Sequence, residues 1–204
     1  MFYITILGDR HYACPPFFFK YIIMIIGISG KSGSGKDYVS NILQSILLNE
    51  CGEYYTIDKF ARKIKEALSV LFEINIKQFE EQSFKSEKIY KDFTCRDLMI
   101  LLGNHFGRAS IDKDFWIDLL FNSNKSNNII ISDVRFKNEF KAIKDRSGLI
   151  IRVESNEYNN IDNISEKDLD DYQFDYVITN NKHLKTNDSL ISQLKLFCEK
   201  YIKE

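Results

Sequence analysis

Five short runs of apolar, largely β-branched residues set the limits on this chain's fold. They occupy residues 24–29, 54–57, 128–132, 149–153 and 176–179. Several are apolar at every position instead of alternating, the mark of a strand buried on both faces. Such strands belong in a parallel sheet covered by helices. The segments between them supply those helices, with apolar residues at helical spacing over residues 36–48, 59–72, 94–106, 114–121, 136–146 and 188–202. Thr94 and Asp97 make a capping-box-like start, and Ser147-Gly148 a helix stop. Strands alternating with helices imply right-handed β-α-β crossovers and an α/β sandwich.

The second and third runs lie about 70 residues apart, room for three or four helices. An insertion of this size, at about 73–126, is expected to form a helical lid or substrate wall. Its most polar part, residues 82–92, reads as a mobile loop. Met24 directly precedes the first strand, so residues 1–23 are expected as an extension outside the fold, and 24–204 as one domain.

Composition removes several classes. With 204 residues and a net charge of −1, the chain has no basic excess for binding nucleic acid. Cys14, Cys51, Cys95 and Cys198 are scattered without a C-x-x-C, and His11, His105 and His183 lie far from them. This argues against a zinc site and for free thiols in a reducing cytosol. No stretch reaches the ~18 to 20 apolar residues of a membrane span. The G-x-S-x-G, H-E-x-x-H and H-R-D/D-F-G signatures are missing.

The sharpest motif is Gly30-Lys31-Ser32-Gly33-Ser34-Gly35-Lys36-Asp37, after the first strand and opening a helix. It matches G-x-x-x-x-G-K-[ST] except at Asp37. Glycines let backbone N–H groups turn inward and form an anion nest at a helix N-terminus. Lys36 would reach the β- and γ-phosphates. Asp37 stands where a hydroxyl normally ligates Mg²⁺. A carboxylate is also a hard oxygen ligand, so metal ligation is the expectation, against a helix N-terminal charge interaction.

Asp133 falls at the C-terminal end of the third run, where ligands bind in open α/β sheets. It is a second candidate for the metal or the substrate; the alternative is a cap for the following helix. Arg135 would face the same cleft. Only seven arginines stand against 21 lysines, so an arginine is more often one needed for its planar fork. Arg96 and Arg108, in the insertion, are candidate clamps for a second phosphate, with surface charge as the alternative. Trp116, the single tryptophan, suits either base stacking or packing.

These residues resemble a family, the deoxynucleoside monophosphate kinases of phages and large DNA viruses. The resemblance runs from about Met24 to the C-terminus. It rests on Gly35-Lys36-Asp37, on Phe60-Ala61 with Ile64-Lys65-Glu66-Ala67-Leu68, and on Thr94-Cys95-Arg96-Asp97-Leu98-Met99 with Leu102-Gly103 and Gly107-Arg108. Asp133-Val134-Arg135-Phe136-Lys137-Asn138-Glu139, Ser165-Glu166 and Asp175-Tyr176-Val177-Ile178-Thr179-Asn180 complete it. Departures occur at Gly33, Arg62-Lys63, Ile100, Asn104-His105 and Asn163.

The resemblance implies a P-loop fold of the nucleoside monophosphate kinase type: a three-layer sandwich with a five-stranded parallel sheet. It implies ATP, Mg²⁺ and transfer of the γ-phosphoryl group to a deoxynucleoside monophosphate. Gly30 through Asp37, with Tyr38, would hold the nucleotide, and Asp37 and Asp133 the metal. Arg96, Gly103, Arg108, Trp116, Asp133, Arg135 and Glu139 would form the monophosphate side. Lys36, Arg96, Arg108, Asp133 and Arg135 would carry the catalysis. A phosphomevalonate kinase-like enzyme and a non-catalytic NTP-binding regulator remain alternatives. No nucleic acid or membrane partner is expected, a cytoplasmic location is, and a homodimer is left open.

Overall fold

The computed structural model describes residues 23–124, 127–155, 167–180 and 188–203. Residues 1–22 and the Ser165-Glu166 pair lie outside the described residues. In chain order the elements are β1 (Ile25–Gly30), α1 (Lys36–Cys51), β2 (Tyr55–Asp58), α2 (Arg62–Phe72), a 3₁₀ turn (Ile76–Glu80) and α3 (Gln82–Lys85). Then follow β3 (Lys88–Tyr90), β4 (Phe93–Thr94), α4 (Cys95–Ile100), a π-helical segment (Leu101–Ile111), α5 (Phe115–Ser123) and β5 (Asn128–Val134). The chain closes with α6 (Lys137–Lys144), β6 (Leu149–Glu154), β7 (Tyr176–Thr179) and α7 (Asp188–Tyr201).

Five strands form one parallel sheet in the order β2-β5-β1-β6-β7. β1 is central and buried at all six positions, as its unbroken apolar run requires. Neighbouring residues supply opposite faces. Ile26, Ile28, Ile130 and Ile151 pack with Val39, Leu43 and Leu47 of α1 and Leu194 and Phe197 of α7. Ile25, Ile129, Ile131 and Ile150 pack on the other side with Ile117 and Leu120 of α5 and Ile143 of α6. This period of two places helices on both faces and gives the three-layer sandwich. Each buried isoleucine contributes on the order of 1.5–3 kcal/mol. Ile23 and Met24 pack against the edges of these two cores.

A third cluster belongs to the insertion. Ile64 and Leu68 of α2 meet Phe79, Phe84, Cys95 and Trp116. Two expectations need correction here. Residues 82–92 are not a loop: they contain α3 and most of the β3–β4 hairpin, because Phe84 is buried edge-on against Phe79 at 5.8 Å. The helix expected over 94–106 is interrupted. It starts as the sequence implies, with Thr94 and Asp97 exchanging cap hydrogen bonds. After Ile100 it widens into the π segment, where Gly103 and Gly107 pack against α2 and Trp116. Among the described residues, no helix is long and apolar enough to cross a membrane.

Candidate active site

β1 runs out at Gly30, and the loop that follows turns tightly before α1. Ser34 N–H donates to the Lys31 carbonyl at 3.1 Å, and Gly35 takes a left-handed φ of 90° as the N-cap of α1. The first N–H groups of α1 therefore open onto the loop, together with the positive end of its dipole. Lys36 is buried in the loop. Its ammonium donates to the carbonyls of Gly30 at 2.7 Å and Lys31 at 2.9 Å. Asp37, one residue on, accepts from the Ser132 hydroxyl at 3.0 Å and pairs with Lys59 at 3.0 Å. Its side chain is 62% exposed, so it retains access to solvent.

Asp133 leaves β5 beside this loop and does something the sequence did not indicate. One carboxylate oxygen accepts from Phe60 N–H at 2.8 Å and the other from Ala61 N–H at 2.9 Å. It holds the turn between β2 and α2, not the start of α6. Burial pushes its carboxyl above the ordinary range, against the pull of those two N–H groups.

The cap of α6 is Glu139. It is 2% exposed and accepts from Arg135 N–H at 2.8 Å and Phe136 N–H at 3.1 Å. Its other oxygen binds Arg108 at 2.7 Å. Burial, then the charge of Asp133, raises Glu139 to about 7, with Arg108 opposing. Arg108 is further held by Asn104 Oδ1 at 3.1 Å and lies over the Phe136 ring at 4.3 Å. Two elements far apart in sequence thus fix one guanidinium. Arg96 faces the same space and has no acidic partner within 4 Å among the described residues.

These groups line one cavity of about 440 Å³. From the loop side come Ser32, Gly33, Gly35, Lys36 and Asp37; from the other side come Arg96, Gly103, Arg108, Arg135 and Glu139. Asp133 lines it too. Ile100 and Asn104, two of the departures from the family pattern, also line it.

Other sequence candidates lie elsewhere. Trp116 does not reach the cavity: it is 4% exposed, and its indole N–H donates to the Gly103 carbonyl at 2.8 Å. Packing is its role. Lys31 points outward to Asp170 at 3.2 Å, Ser34 is buried, and Gly30 and Tyr38 are not among the lining residues.

The sequence reading missed Lys59, Lys65, Glu80 and Lys85, all lining residues. Glu80 binds Lys65 at 2.6 Å and Lys59 at 3.0 Å. Burial alone would raise the Glu80 carboxyl, but these two lysines pull it down to about 2. Lys85 is depressed by burial and then by repulsion from Lys65. A lysine four residues from another charge on a helix is an ordinary surface pattern, so nothing local marks these out. They are recognisable only once Phe79 and Phe84 fold the insertion over the sheet end.

The parallel sheet, with its glycine-rich loop between β1 and α1 opening onto the cavity, is the architecture of a P-loop protein. A family model described as deoxynucleotide monophosphate kinase matches residues 71–191, more than half of the chain. A protein of Acanthamoeba polyphaga mimivirus named "Putative deoxynucleotide monophosphate kinase" is 26% identical over 182 residues, covering 80% of this chain and 91% of its own. Among solved structures, shikimate kinase from Bacteroides thetaiotaomicron superposes with a TM-score of 0.48 at 13% identity, over 87% of this chain and 97% of that one. The chain belongs to the deoxynucleotide monophosphate kinase family and is a nucleotide kinase.

Proposed function

We propose that this kinase moves the γ-phosphoryl group of ATP to the phosphate of a deoxynucleoside monophosphate, giving a deoxynucleoside diphosphate and ADP. The observation that carries the reading is the charge of the cavity. Seven cationic side chains and four carboxylates line it, in a chain whose formal net charge is −1. A positive, half-enclosed site suits two polyanions held close together.

The donor phosphates take the loop from Gly33 to Lys36. Lys36 leaves the Gly30 and Lys31 carbonyls for the phosphates, exchanging two neutral acceptors for charged ones. The Asp37 carboxylate beside the Ser132 hydroxyl offers hard oxygen donors that fit Mg²⁺, which takes one or two carboxylates together with water and phosphate oxygens. When bound there, the ion would neutralise charge on the transferring group. Asp133 keeps the β2–α2 turn in place and is assigned to positioning rather than to the ion.

The acceptor phosphate takes Arg96, Arg108 and Arg135, with Lys85 behind them. Arg108 is already oriented by Glu139, Asn104 and Phe136, so little rotamer freedom is lost on binding. An oxygen of the acceptor phosphate attacks the γ-phosphorus, and the bond to the β-bridging oxygen breaks, leaving its charge on ADP. The attacking oxygen is already anionic, so no strong general base is needed and the work is alignment. The apolar wall of Ile64, Met99, Ile100 and Phe136 takes the base.

ADP release from ATP and Mg²⁺ is the test, measured with each deoxy- and ribonucleoside monophosphate and with phosphomevalonate. Release is expected to require a deoxynucleoside monophosphate. Release that ignores the acceptor would make the chain an NTPase, and a preference for phosphomevalonate would move it to another substrate class.

A further inference from the structure

Asn180 is a buried amide that the mechanism above does not use. It follows β7 directly and is 7% exposed. Its backbone N–H donates to the Glu154 carbonyl at the end of β6, at 2.7 Å. Its side-chain Nδ2 donates to the Ser34 carbonyl of the phosphate loop at 2.9 Å, in a buried position. One residue therefore ties the far edge of the sheet to the loop after its central strand, 146 residues away in sequence.

The bond falls on the peptide that matters. In a trans peptide the C=O and N–H point in opposite directions. Holding the Ser34 carbonyl toward Asn180 turns the Gly35 N–H away from it, and Gly35 itself lines the cavity. The contact is close: a Cβ on Gly35 would collide with Asn180 Nδ2. The side chain of Ser34 does not share the task. Its hydroxyl is buried with no hydrogen-bond partner among the described residues, so the loop is pinned here through its backbone.

We infer that Asn180 is a positioning residue, orienting the Ser34–Gly35 peptide so that its N–H meets the donor phosphates. This rests on the kinase reading above. Without the Nδ2 donor the peptide is free to rotate, and the nest loses a donor held in advance of binding.

The test uses the full chain with Asn180→Ala and Asn180→Asp. The second keeps size and shape but presents an acceptor to the Ser34 carbonyl. Melting temperature, calorimetric affinity for ATP-Mg²⁺ and both KM values are measured. Affinity for ATP-Mg²⁺ is expected to weaken at least tenfold in a folded variant, with the acceptor KM within twofold of wild type. A merely structural residue would lower the melting temperature and disturb both substrates alike. That pattern, or ATP affinity within twofold of wild type in either folded variant, would overturn the inference. Loss of the fold in both would make Asn180 a determinant of the fold and overturn it too. A wild-type chain that phosphorylates no nucleoside monophosphate would instead defeat the kinase reading itself.

Discussion

Replacing Gly107 with alanine tests how the insertion places its arginine. A Cβ at Gly107 would fall on the indole nitrogen of Trp116, with Cε2 at 2.6 Å and Cζ2 at 2.8 Å. The ring is rigid and buried, so the π segment and α5 must separate. Overpacking of this kind costs about 1–3 kcal/mol. The displaced indole also loses its hydrogen bond to the Gly103 carbonyl, about 1 kcal/mol. Alanine regains up to about 1 kcal/mol of helical preference over glycine, so these last two roughly cancel. The net loss of about 1–3 kcal/mol corresponds to a fall in melting temperature of roughly 2–12 °C for a chain of this size. Trp116 is the only tryptophan, so its fluorescence reports the site directly and should shift to the red. Because Asn104 and Arg108 ride on the same segment, the acceptor KM should rise while ATP affinity holds. An unchanged or higher melting temperature with native emission would refute the packing argument.

Three other outcomes follow from the site. Lys36→Ala should lower turnover at least ~100-fold in a chain that still melts cooperatively, since it removes charge from the transferring group; retained turnover would sink the loop assignment. Arg135→Lys should raise the monophosphate KM, or lower kcat, about tenfold, because lysine keeps the charge but not the fork. ATP affinity should change little; the opposite pattern would assign Arg135 to the donor. Glu80 titrates at about 2 in the folded chain and near 4.3 when unfolded. Its ion pairs therefore stabilise fully above about pH 4.5, and that contribution is lost as pH falls toward 2. Being half exposed, it contributes about 1 kcal/mol. Urea unfolding of wild type and Glu80→Gln should converge across that window, and a constant gap would count against the ion-pair account.

The sheet was legible because its signal is local. All five strands sit on apolar runs, and in the central β1, β5 and β6 burial on both faces is written into the run itself. The loop was legible for the same reason: Gly35 and Lys36 act within a few residues of one another. The insertion was not. Its polar stretch hides Phe84, whose burial depends on Phe79 and on partners on other elements. The π segment was unreadable because the close approach of Gly107 to Trp116 depends on how α5 packs back onto it. Asp133 is legible as an acidic residue at a strand end and Glu139 through the family resemblance, but their partners, the amides of Phe60 and Ala61 and the Arg108 guanidinium, lie 72–73 and 31 residues away.

The same accounting explains how four carboxylates can share a site meant for polyanions. Each unpaired one would repel phosphate, so each needs an occupation. Asp133 spends both oxygens on backbone amides. Glu139 spends one on Arg108 and one on the start of α6. Glu80 is shared between Lys59 and Lys65. These three hold the walls together, and the field that a substrate meets is that of the surplus of seven cationic side chains over four carboxylates. Asp37 differs. Its partners are a hydroxyl and Lys59, which Glu80 also holds, and most of its side chain faces solvent. It is the carboxylate with room for a hydrated cation, and it immediately follows the lysine proposed to hold the transferring phosphate. Under the proposed function, that juxtaposition would let an aspartate stand where this loop normally has a hydroxyl: the negative charge would be tolerable because a cation arrives with the nucleotide.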